Sequence, residues 1–62
     1  MNRYVVSIMY FDEQTGSPNT SLAIIMANTE QEAIGQATID LFNDSEANSI
    51  LIKEIKIIKI DE

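Results

Sequence analysis

The chain has no cysteine, no histidine and no tryptophan. Without cysteine there are no disulfides and no thiol nucleophiles. With histidine also missing, zinc sites of the Cys/His type and every imidazole mechanism are excluded. Basic residues are scarce: Arg3, Lys53, Lys56 and Lys59 stand against ten acids, for a net charge of −6. Phosphate contacts need clustered Lys and Arg, so direct binding of nucleic acid is not expected, and the sign favours a basic protein partner or simply solubility. Glycine occurs only at positions 16 and 35, which is no phosphate-cradling loop. No run approaches the ~18 apolar residues that span a bilayer. Met1-Asn2-Arg3-Tyr4 leads into an apolar stretch too short for a signal peptide, with no small-residue cleavage site. A cytoplasmic protein is expected, and the lack of cysteine fits a reducing compartment.

What is present is apolar. Hydrophobic residues make up 45% of the 62, a globular composition that fits one domain covering residues 1–62. A core at this size buries about 60% of the unfolded surface and rarely supplies more than ~3–5 kcal/mol. Small domains add a disulfide, a metal or a second subunit, and the first is impossible here. Association is the support that remains.

Residues 3–11 are rich in β-branched and aromatic types, with Tyr4, Val6, Ile8 and Tyr10 on one face at period two. The other face, Arg3, Val5, Ser7, Met9 and Phe11, is far from polar. A strand is predicted. Residues 12–20 hold the only proline and read as a loop of about nine residues, with Gly16-Ser17-Pro18-Asn19 at its tip. Residues 21–27 form a second strand, with Leu22, Ile24 and Met26 pointing one way and Ala23, Ile25 and Ala27 the other. Thr29 with Glu32 fits a capping box, each side chain meeting the other residue's free backbone N–H. A helix is predicted from there to about Phe42, with Asn43 as a left-handed terminator and Ala33, Ile34, Ala37 and Leu41 as its core stripe. Residues 44–49 are a polar connection. Residues 50–60 carry six isoleucines and one leucine, which scatter around a helix and so read as a long strand.

The order is β-β-α-β, an α+β fold. A helix that returns the chain beside the first strand makes the sheet antiparallel, three-stranded and ordered 2-1-3, with the helix packed on one face. The last strand keeps no single apolar parity: Ile50, Ile52, Ile58 and Ile60 oppose Leu51, Ile55 and Ile57. Either a bulge near Lys53-Glu54 or Ile57-Ile58 realigns it, or both faces are buried. One helix covers one face only, and the remaining face would be an apolar patch of the kind monomers avoid.

Three groups of residues are candidates for partner binding. Met9, Phe11, Ile55 and Ile57 are expected to dominate a homodimer contact, formed by stacking helix-free faces or by pairing the last strands at their edges. Gly35, Ile39 and Phe42 form a second apolar set on the helix, away from its core stripe. They read either as a docking surface or as Phe42 folded onto the sheet edge beside a tolerated Ile39. Asp40, Asp44 and Glu46 have the oxygen ligands of a calcium site but not its twelve-residue loop or central glycine. They read as solvated acids or an acidic docking patch. Residues 12–46 contain seven acids and no base, concentrating the negative charge on the loop and helix.

For catalysis only carboxylates, lysines and two tyrosines are available, and no Ser-x-x-Lys motif is present. A chain of this length can hardly enclose a pocket of ~300 Å3 and keep its core. A non-enzymatic interaction module without cofactor or metal is expected. In size, β-β-α-β order and acidic balance the chain resembles small accessory proteins of phages and mobile elements, including some CRISPR inhibitors. That resemblance implies an alternative role, an acidic inhibitor that occupies a basic nucleic-acid-binding site.

Overall fold

The computed structural model describes residues 1–44 and 50–60, and of Asp44 the backbone alone. Strand β1 spans Asn2–Asp12, β2 Ser17–Ala27, helix α1 Glu30–Asp44 and β3 Ile50–Ile60. The sheet is antiparallel throughout, in the order β2-β1-β3, and α1 lies across one face. The fold is α+β as the residue pattern predicts. No helix among the described residues is long and apolar enough to cross a membrane.

The β1–β2 hairpin is tighter than the composition of residues 12–20 suggests. Asp12 pairs with Ser17, leaving only residues 13–16 as the turn. Asp12 organises it: its side-chain Oδ1 accepts from the backbone N–H of Gln14 at 2.9 Å, and its carbonyl from that of Gly16 at 2.8 Å. Gly16 sits at φ 70°, a left-handed conformation that costs a glycine little. Pro18 and Asn19 therefore belong to β2 rather than to a loop tip. A proline is tolerated there because β2 is an edge strand, in which alternate N–H groups have no neighbouring strand to bond.

Thr29 caps α1, its Oγ1 accepting from the backbone N–H of Glu32 at 3.2 Å. The return bond differs from the expected box by one residue: Glu32 Oε2 accepts from the N–H of Asn28, at 3.2 Å, not of Thr29. Two orphan donors are satisfied either way. At the other end the helix runs two residues beyond Phe42. Asn43 is helical, with no left-handed terminator, because no non-glycine residue among those described has a positive φ.

The core lies between α1 and one face of the sheet. It comprises Tyr4, Val6, Ile8, Ile25, Ala27, Ala33, Ala37 and Leu41. Ala33 and Ala37 are short, so the helix axis approaches the strands closely and Val6 and Ile8 are sealed beneath it. Tyr10, Ala23, Ile50, Ile52, Ile55 and Ile57 pack around this centre and are partly buried. The helix sits mainly over β2 and β1 and reaches β3 least. That offset explains why no isoleucine of β3 is fully buried.

The parity conflict in β3 is resolved by a bulge. Met9 stands opposite Glu54 and Tyr10 opposite Ile52, leaving Lys53 as the extra residue. One inserted residue flips the side-chain alternation. Ile50 and Ile52 before the bulge, and Ile55 and Ile57 after it, thus share the helix-covered face.

Candidate functional site: the open face of the sheet

With one face under α1, the other is bare. The register arranges it in five rungs across β2, β1 and β3. They read Met26–Arg3–Ile60, Ile24–Val5–Ile58, Leu22–Ser7–Lys56, Thr20–Met9–Glu54 and Pro18–Phe11–Leu51. Leu22, Ile24 and Ile58 are 72%, 67% and 66% exposed, values characteristic of lysine rather than isoleucine on a folded surface. Met9, Met26 and Leu51 are exposed as well. Two open hollows mark the surface. One of about 310 Å3 is lined by Val5, Leu22, Ala23 and Ile24. Another of about 530 Å3 lies at the hairpin end, around Met9, Phe11, Pro18 and Lys53.

The size of the face is bounded by the molecule, which measures 39 × 17 × 14 Å. Three strands of eleven residues, at ~3.4 Å per residue and ~4.8 Å apart, present about 500 Å2 in projection. The largest apolar patch of an ordinary monomer is about 300–600 Å2, and such patches mark interaction sites.

The charge is arranged to match. Among the described residues, Arg3, Lys56 and Glu54 are the charged residues in the rungs of the open face, and Lys53 borders its hairpin-end hollow. The acids Glu30, Glu32 and Asp40 are on α1, and Asp12 and Glu13 are at the hairpin turn. Among the described residues the open side therefore carries three bases and one acid, on a chain of net charge −6.

The expected site residues are not brought together. Met9 and Phe11 do lie on the open face. Ile55 and Ile57 lie on the other, opposite Ile8 and Val6, and pack against the core. Their grouping with Met9 and Phe11 is corrected by the Lys53 bulge, which exchanges the faces of everything beyond it. Gly35, Ile39 and Phe42 are all exposed on the outer surface of the helix, Phe42 included, so it is not folded away onto the sheet. Asp40 is half-buried and accepts a hydrogen bond from Gln36 Nε2 at 2.9 Å, one turn earlier. The side chain of Asp44 and the whole of Glu46 lie outside the described residues.

Leu22, Ile24, Met26 and Ile58 are the residues that sequence reasoning left out of the site. The shared parity of Leu22, Ile24 and Met26 was the available signal. It needed the strand pairing to show that this parity is the uncovered one. Compared with family models, with curated proteins and with solved structures, the chain matches none of them.

Proposed function

We propose that this chain is a non-enzymatic protein-interaction module whose working surface is the open face of its sheet. The observation that carries the reading is the exposure of Leu22, Ile24 and Ile58 on a face whose described rungs hold one carboxylate, while Glu30, Glu32 and Asp40 are on the helix at the opposite side of the sheet. Apolar side chains at such exposure are a liability unless something covers them. The hollows on this face are open to solvent and lined mainly by aliphatic and aromatic side chains, which suits docking and not the enclosure of a substrate. Reversing the surface while sparing the core tests the reading. Leu22→Lys and Ile24→Lys should retain the far-UV spectrum of the wild type and lose its associations, with itself or with a protein captured from the source cells. Associations unchanged in both variants would overturn it.

A second reading rests on the opposite side. The acids of α1 and of the hairpin turn, with no base between residues 12 and 46, would suit a basic site that otherwise holds nucleic acid. Such binding should weaken steeply between 50 and 500 mM salt, because screening acts on many exposed charge pairs. An apolar contact should not.

A further inference from the structure

We infer that the occupant of the open face is a second copy of this chain, stacked face to face about a two-fold axis that runs along β1. This rests on the reading of that face as the interaction surface, and adds who covers it and in which orientation. Three observations support it.

The first is area. A stable interface takes about 800 Å2 of accessible surface from each partner. The open face offers about 500 Å2 in projection, and the accessible area of side chains as exposed as Leu22, Ile24 and Ile58 exceeds that projection. The face is therefore matched by another of its own size, and stacked sheets pack about 10 Å apart with their strands within ~30° of alignment.

The second is charge. Two chains of −6 repel, but stacking open faces puts both acidic helices on the outside, separated by two sheets. Association through the helix would bring the acids together. Edge pairing is the other symmetric route, and both edges are blunted: β2 by Pro18, β3 by its bulge and by Lys53, Lys56 and Lys59.

The third is register, which selects between two orientations. With the axis across the strands, each strand lies antiparallel over its own copy. Lys56 then meets Lys56 of the partner subunit and Ile58 meets a carboxylate. With the axis along β1, β2 covers the partner's β3 at the same rung. Ile24 then meets Ile58 of the partner subunit, Leu22 meets the stem of Lys56 of the partner subunit, and the Thr20 hydroxyl faces Glu54 of the partner subunit as a hydrogen-bond donor. The second arrangement pairs the most exposed isoleucines and opposes no lysines. Arg3 is at the end of the sheet, where the crossing angle carries the two copies apart.

In this arrangement the two hairpin turns lie at the same end of the dimer. Across-strand stacking and edge-to-edge pairing both put them at opposite ends, about a molecular length of 39 Å apart. A nitroxide on Gln14→Cys reads the difference, since the chain has no other cysteine and Gln14 is exposed in the turn, off the open face. The expected result is a dimer by sedimentation equilibrium at micromolar concentration with an inter-label distance below ~25 Å, and a single-chain mass for Ile58→Lys with unchanged far-UV spectrum. A dimer with labels about 40 Å apart overturns the orientation and leaves the open face as a candidate surface. A single-chain mass for the wild type at every concentration overturns the second copy as occupant. Capture of another protein that Ile24→Lys abolishes would then still uphold the reading beneath it.

Discussion

Ile24 and Ile25 are the same residue at neighbouring positions of one strand, yet the first is 67% exposed and the second 8%. The difference is repeated across the whole sheet. On one face Tyr4, Val6, Ile8 and Ile25 are sealed by a helix; on the other Val5, Leu22, Ile24 and Ile58 have the same chemistry and no cover. Side-chain hydrophobicity does not decide burial here. Strand parity does, together with the single helix available to cover one of two apolar faces. A monomer would be expected to alternate apolar and polar along such strands. This one alternates covered and uncovered.

The sharpest test of that contrast is to truncate each isoleucine. Ile25→Ala should destabilise the fold by about 2–5 kcal/mol, through lost transfer energy and the cavity left behind. In a domain with a core this small, that approaches complete unfolding. Ile24→Ala should change the stability of the unassociated chain by less than about 0.5 kcal/mol. Urea unfolding at low protein concentration measures both, and equal losses would erase the distinction between the faces.

Deleting Lys53 attacks the contrast from the other side. Without the extra residue, Ile50 and Ile52 shift to the open face while Leu51 turns inward. Two half-buried isoleucines, at about half of ~1.5–3 kcal/mol each and offset by the burial of one leucine, make a net loss of about 1 kcal/mol. Amide exchange should accelerate in residues 50–52 and stay slow in β1–β2. An unaltered exchange pattern would mean that the bulge does not set the facing of β3.

The cover itself depends on its cap. Thr29→Ala removes the acceptor for the Glu32 N–H and should cost about 1 kcal/mol, recovered largely by Thr29→Ser. Helical ellipticity on heating reports it, and a null result would place the anchoring of α1 in its alanine contacts alone.

The smallest effect is expected on the far side of the helix. Beyond its chain neighbours and the backbone of its own helix, no heavy atom lies within 4 Å of a Cβ built on Gly35. Gly35→Ala should therefore raise stability by ~0.5–1 kcal/mol, through helix propensity, and leave the association state as it was. Loss of association in that variant would move the contact from the sheet to the Gly35, Ile39 and Phe42 surface.

Much of the architecture was legible in the residues, and for physical reasons. Period-two patterns in 3–11 and 21–27, a cap at Thr29 and the isoleucine density of 50–60 dictate the elements. The return of the chain by a helix lets β3 pair beside β1, and the apolar residues on both faces of 4–11 accord with the resulting order 2-1-3. The hairpin was misjudged because turn-forming residues at 17–20 do not end an edge strand, half of whose N–H groups point to solvent. The end of α1 was misjudged because asparagine tolerates the helical region as well as the left-handed one. In the candidate site, Met9 and Phe11 were legible from parity alone. Ile55 and Ile57 were not, since their face depends on one inserted residue that either of two positions could have supplied.

The 2-1-3 order also has a consequence in time. Pairing Asp12 with Ser17 closes a turn of four residues, residues 13–16, whereas pairing Asp12 with Ile50 closes 37, residues 13–49. By the logarithmic cost of loop closure, the second ring is about 2 kcal/mol harder to close than the first. The β1–β2 hairpin is therefore expected to form first, on the microsecond scale of hairpins, with β3 docking onto a strand that is already half paired. Until it does, the second edge of β1 is open, with Val6 and Ile8 only partly roofed and the isoleucines of 50–60 still in water. The interval before docking is when this chain is most exposed to joining the wrong neighbour. The charged side chains of Lys53, Lys56 and Lys59 have their protective effect in that interval, on a segment that is otherwise almost wholly aliphatic.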